Sequence, residues 1–164
     1  MKTSGFIFSS ILVVGVTFSS FSQQVPSQCQ SIEVTNSETA AEAEDCILKI
    51  SKFILSQHVL YSTPEYTDMA QDVSDWMKRT MNYTIVVNSL VKESLEHKKN
   101  VNLLQVYHAA LVHEALSGAT NFHKQAVVTL VEYIRDEKNN VKITGKMKKM
   151  LKAYDEGEFE EYYR

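Results

Sequence analysis

Over residues 64–98 the chain places Tyr66, Met69, Val73, Met77, Thr80, Thr84, Val87, Val91 and Leu95 three or four residues apart. No other feature limits the fold as strongly. At ~100° per residue these positions line one face of an α-helix. An unbroken helix of this length would span ~50 Å at 1.5 Å per residue. Thr63 is suited to cap its start, with Pro64 at the first helical position, where no amide donor is needed. His97-Lys98-Lys99-Asn100 ends it, with positive charge at the negative end of the helix dipole.

A second pattern of the same kind follows: Leu104, His108, Leu111, Ala115, Ala119, Phe122, Ala126, Leu130 and Tyr133. Ser117-Gly118 falls inside it and predicts a kink, since an interior glycine costs about 1 kcal/mol relative to alanine. Upstream, Asn36 or Ser37 caps a helix running to about Leu60, with Glu38, Glu42, Glu44 and Asp45 in its first turns. Downstream, Thr144 caps a short helix with Met147, Met150, Leu151 and Tyr154 on one side, which Gly157 stops. The β-branched runs TIVVNSLV and QAVVTLVEYI could also be read as strands. Both sit inside longer helical periods, and glycine and proline are scarce, which argues against an all-β fold. The predicted class is all-α: an antiparallel bundle of three long helices plus a short C-terminal helix, with an irregular N-terminal arm.

The first 22 residues read as a signal peptide. Lys2 gives the positive start, Phe6 to Phe18 the apolar run, and Ser20 and Ser22 the small residues before a cleavage point. That run is shorter than the ~20 residues a membrane-spanning helix needs. The expected organisation is therefore a signal peptide (1–22), an irregular arm (23–36), a helical bundle (37–157) and an acidic aromatic tail (158–164). The tail would be a frayed terminus or, through Tyr162 and Tyr163 beside acidic residues, a sulfation site. Removing Lys2 moves the formal charge from −3 to −4. A mildly acidic chain is not built as a general nucleic-acid binder. Cys29 and Cys46 are the only cysteines, and in an oxidising compartment an even pair forms a disulfide.

His113-Glu114 invites comparison with a zinc-protease helix. That motif needs a second histidine four residues on, and the position is Ser117. His108 lies five residues back, so its ring points ~140° away from that of His113. His58 and His97 fall at predicted helix ends. No G-x-S-x-G and no glycine-rich phosphate loop occurs. The expectation is no catalytic residue, no metal and no cofactor. His108, in mid-stripe, reads as a core histidine with a satisfied hydrogen bond.

Three surface features remain. Asn82-Tyr83-Thr84 is a glycosylation sequon, set ~180° from the centre of its helix's apolar stripe. Lys146, Lys148, Lys149 and Lys152 form a candidate patch for an anionic partner, set against the plainer reading of a solvated face. Leu116, Val127, Val131 and Ile134 form a second apolar line on the third helix. Such a line marks either a central helix or a candidate binding face. The functional expectation is a secreted, extracellular, non-enzymatic protein that binds an extracellular protein partner. The alternative is a carrier of a small hydrophobic ligand, a fatty acid or sterol, between its helices. No nucleic-acid partner and no membrane contact is expected.

Overall fold

The computed structural model describes Cys29 and residues 32–164. The expected signal peptide and the beginning of the arm lie outside the described residues. Among the described residues the fold is all-α, and no strand forms. Its helices are α1 (Ser37–Glu42), α2 (Glu44–Ser56), α3 (Pro64–Arg79), α4 (Ser89–Leu95), α5 (Leu103–Leu116), α6 (Phe122–Arg135) and α7 (Gly145–Asp155).

Each of the three expected long helices is interrupted. The first breaks at Ala43 and stops at Ser56, short of Leu60. Gln57 is extended there, and its carbonyl accepts the Tyr133 hydroxyl at 2.6 Å. The second ends at Arg79, with Thr80 extended, and a new helix begins only at Ser89. Residues 84–87 are all β-branched, which costs side-chain entropy in a helix. Asn88 then caps α4 by accepting from the amides of Leu90 and Val91. The third does not kink at Gly118; it ends there. Gly118 has φ +79°, its amide donates to the Ala115 carbonyl, and the Ala119 amide donates to Glu114. This pair of bonds is the Schellman stop, which needs a residue in the left-handed region. Asn121 then caps α6. Gly157 ends α7 by the same pair of bonds, with φ +75°.

The caps read from the sequence form at Asn36, Thr63 and Thr144, each side chain accepting from an amide in the first turn. Cys29 and Cys46 are bonded, with Cα atoms 5.2 Å apart. The bond ties the arm to α2. In the chain-entropy account, closing a loop of this length stabilises by about 3 kcal/mol.

The core is organised around α5. Val106, Tyr107, Ala109, Ala110, Leu111 and Val112 are buried at nearly successive positions, so this helix is apolar all round. Such a helix must be central. Helices α2, α3, α4 and α6 pack against it, and α7 packs on α4. Two buried asparagines fix connections between helices. Asn100 donates to the Lys142 carbonyl and accepts from its amide, both at 2.9 Å. Asn139 donates to the Tyr133 carbonyl, while its own carbonyl accepts from Val59.

The C-terminal tail is docked rather than frayed. Tyr162 is buried, and the Asn88 side-chain amide donates to the carbonyls of Glu161 and Arg164. The Lys124 ammonium lies 5.8 Å from the centre of the Phe159 ring and 5.9 Å from that of Tyr163.

Candidate interaction surface

The segment Thr80–Asn88 joins α3 to α4 with no helical turn. Its burial alternates: Tyr83, Ile85 and Val87 are half-buried against the core, while Thr84 and Val86 are exposed. A period of two is the signature of extended chain lying on a packed surface. The inward residues are held by aromatic contacts, with the Tyr83 ring 5.7 Å from that of Trp76 and 6.5 Å from that of Phe122. The outward ones are apolar for their exposure. Met81 is 84% exposed, Val86 53%, and Leu90 at the start of α4 41%. Among the described residues, Val86 has the only backbone amide within 81–87 that finds a protein partner, His123 Nε2 at 3.1 Å.

Asn82 and Thr84 are both exposed on this segment. The Asn82 amide nitrogen, the atom a glycan would occupy, donates to the Glu44 carboxylate at 3.0 Å. Its exposure comes from the irregular segment and not from the outer face of a helix, as the spacing had implied.

The other expected positions are scattered. Val127 and Val131 are fully buried, Ile134 is 4% exposed, and Leu116 is half-buried against the core. The second apolar line therefore belongs to the interior and offers no binding face at Val127, Val131 or Ile134. The four lysines of α7 are exposed while Met147 and Met150 face inward. Lys146 pairs with Glu93 at 3.3 Å and Lys152 with Glu156 at 3.6 Å, so half of that patch is already neutralised.

Glu114 accepts from the Thr129 hydroxyl at 2.8 Å, a tie between α5 and α6, while His113 Nδ1 lies 3.4 Å from Ser117 Oγ. Among the described residues, no three His, Cys, Asp or Glu side chains gather in a way that would hold a metal ion. His108 Nδ1 lies 3.3 Å from Ser74 Oγ, whose proton is directed to the Ala70 carbonyl at 3.0 Å. A hydroxyl has one proton to give, so the ring donates to the serine. Burial, and then Lys78 and Lys92, lower the His108 pKa.

Sequence reasoning missed Asp72. Burial, and then Asp68 and Asp75, push its pKa up to about 6. The D-x-x-x-D-x-x-D spacing on one helix was the available signal, since carboxylates three or four residues apart repel.

Comparison with known proteins gives no match to a family model, a curated protein or a solved structure.

Proposed function

We propose that this chain is a secreted, non-enzymatic helical protein that acts by binding an extracellular protein partner, and that the partner meets the surface formed by Met81, Val86 and Leu90. One observation carries the reading: a segment bearing three exposed apolar side chains and a run of backbone amides with no protein partner among the described residues. Exposed apolar groups beside free backbone donors are what a protein partner can cover. The Cys29–Cys46 bond is compatible with an oxidising compartment. A glycan on Asn82 would border the surface and limit the direction of approach. The carrier reading has less support, because Val127, Val131 and Ile134 of the apolar line that suggested it are occupied in packing α6 into the core.

The test compares the wild-type chain with the double variant Met81→Glu, Val86→Glu for saturable binding to cells of the source tissue. Both substitutions fall on exposed side chains, so the circular-dichroism melt should not change. Saturable binding that vanishes in the variant supports the reading. Binding that survives the two charges, or wild-type protein that binds nothing and carries a lipid in native mass spectrometry, overturns it.

A further inference from the structure

The Asn100 side chain joins two basic segments that lie 42 residues apart in sequence. Its amide nitrogen donates to the Lys142 carbonyl, and its Oδ1 accepts from the Lys142 amide, both at 2.9 Å. Lys98 and Lys99 stand between the end of α4 and Asn100; Lys142 leads into α7, where Lys146, Lys148 and Lys149 follow. Helix α7 lies against α4, with Lys146 on Glu93 at 3.3 Å. All six lysines are exposed. Met147 is fully buried, so Lys148 and Lys149 lie about 100° and 200° around α7 from the inward side. Among the described residues Lys98, Lys99, Lys142, Lys148 and Lys149 form no ion pair. Glu93 and Glu96 are the only carboxylates in 93–99 and 142–149. The acidic residues gather instead at the far end of α7, from Asp155 to Glu161, where Glu156 takes Lys152 out of the patch. A net charge of −3 therefore hides a basic face.

We propose that this face binds a linear sulfated polysaccharide of the heparan sulfate kind, whose sulfate groups lie across both segments. Charge complementarity carries the inference: unpaired cations on an open surface attract a chain of repeating anions. All six are lysines, point charges on flexible stems, which suit scattered sulfates better than the planar bidentate pairing that arginine provides. No Phe, Tyr or Trp stands in 96–101 or 142–149 for a nucleic-acid base to stack on. A lipid surface is disfavoured for a related reason. Ile143, Met147, Met150 and Leu151 of the basic stretch are buried or half-buried. Leu60 and Val101 are exposed in loops tied by the Asn102–Tyr61 bond, but they bring no aromatic ring to insert. The face lies past the end of α4, whereas Leu90 and the 81–87 segment lie at its start. It is thus a second surface, and it shares with the proposed function only the extracellular location in which such polysaccharides occur.

The test is surface plasmon resonance of the disulfide-intact chain on immobilised heparin, desulfated heparin and phosphatidylserine vesicles, at ~0.15 M salt. The expected result is saturable binding to heparin alone, weakening as salt rises. Two double variants probe the two segments: Lys98→Gln with Lys99→Gln, and Lys148→Gln with Lys149→Gln. Each removes two exposed charges and should weaken binding about ten-fold, the scale of two exposed ion pairs, with no change in the circular-dichroism melt. Lys49→Gln with Lys52→Gln, an equal charge change on α2, should leave binding within two-fold or so of wild type, which excludes a response to net charge. Met81→Glu with Val86→Glu should also retain heparin binding, so the two surfaces succeed or fail separately. No binding to heparin overturns the proposal, as does equal binding to desulfated heparin. Binding to the vesicles in place of heparin overturns it in favour of a lipid surface. Binding that either lysine pair leaves unchanged overturns the joined face, and an equal loss in the α2 control reduces the effect to net charge.

Discussion

The Val86 backbone amide donates to Nε2 of His123 at 3.1 Å, a hydrogen bond that joins the 81–87 segment to the head of α6 beside the Tyr83–Phe122 ring contact. A backbone amide can only donate, so Nε2 carries no proton and the ring is neutral, with its proton on Nδ1. Protonating the ring sets two donors against each other. Burial lowers the His123 pKa from its ordinary value of 6.5, and the Phe122 ring lies 4.1 Å from the imidazole, centre to centre.

A pH dependence follows, with a definite sign. His108, His113 and His123 all have lowered pKa values in the fold, each chiefly through burial. Above the ordinary imidazole value of 6.5 both folded and unfolded states are neutral, and this stability is fully present. As pH falls from there through the folded values, the unfolded chain takes up protons first and stability is lost. Asp72 acts in the opposite sense below its value of about 6, because its folded form holds the proton more tightly. Asp72→Asn takes that opposing group away, and in this variant the melting temperature should be level above neutrality and drop between pH 6.5 and 5. In the same window the Val86 amide resonance should follow the His123 titration. His123→Gln retains an acceptor and should remove that response; a Val86 shift that persists in the variant would refute the latch.

Val127→Asp separates interior from surface on α6. Val127 is fully buried. An unpaired carboxylate there should destabilise by roughly 3–5 kcal/mol, read as a shift in the denaturant midpoint. An unchanged midpoint would place Val127 at the surface.

The helix starts were legible because caps are local chemistry: Asn36, Thr63-Pro64 and Thr144 act within four residues of themselves. The disulfide was legible because only two cysteines exist. The breaks were not, and each has a physical reason. A step of four residues is also an even step, so a stripe through Thr80 and Thr84 fits an extended chain as well as a helix. Only the β-branched run told them apart, and it was outweighed by the longer pattern. Gly118 was weighed as an interior glycine at a modest cost, whereas its positive φ makes it a terminator. The docked tail depends on Asn88, some 70 residues away in sequence, and no local pattern carries that. Of the candidate sites, exposure at Asn82 was legible. The apolar 81–90 surface was not, because a stripe running on through Val87 and Val91, which do face inward, gave no sign that Met81, Val86 and Leu90 are left uncovered.

Ser51 offers a test of core bookkeeping. It is fully buried in α2, and its Oγ has no hydrogen-bond partner among the described residues. Ser51→Ala removes a desolvated hydroxyl and little volume. Stability should hold or rise by up to ~1 kcal/mol in chemical denaturation. A loss of that size or more would mean that the hydroxyl has a partner, a buried water for instance.

Trp76 is the one tryptophan, fully buried, and its indole nitrogen donates to the Ala40 carbonyl at 2.9 Å. Ala40 belongs to the six-residue helix α1, whose last carbonyls have no partner within the helix. A helix that short is not stable alone, so the indole bond and the packing beneath it hold α1 on α3. The same ring lies against Tyr83 at the inner side of the 81–87 segment. Trp76→Phe keeps an aromatic ring but loses the donor and part of the volume. It should cost about 2–4 kcal/mol. The loss should be felt locally as well: amide exchange should accelerate in α1 and at Val86 more than in α5 or α6. Hydrogen-exchange mass spectrometry of the variant reads this directly. Acceleration spread evenly over the whole chain would show that Trp76 supports only the global core, and that α1 and the 81–87 segment are held by other contacts.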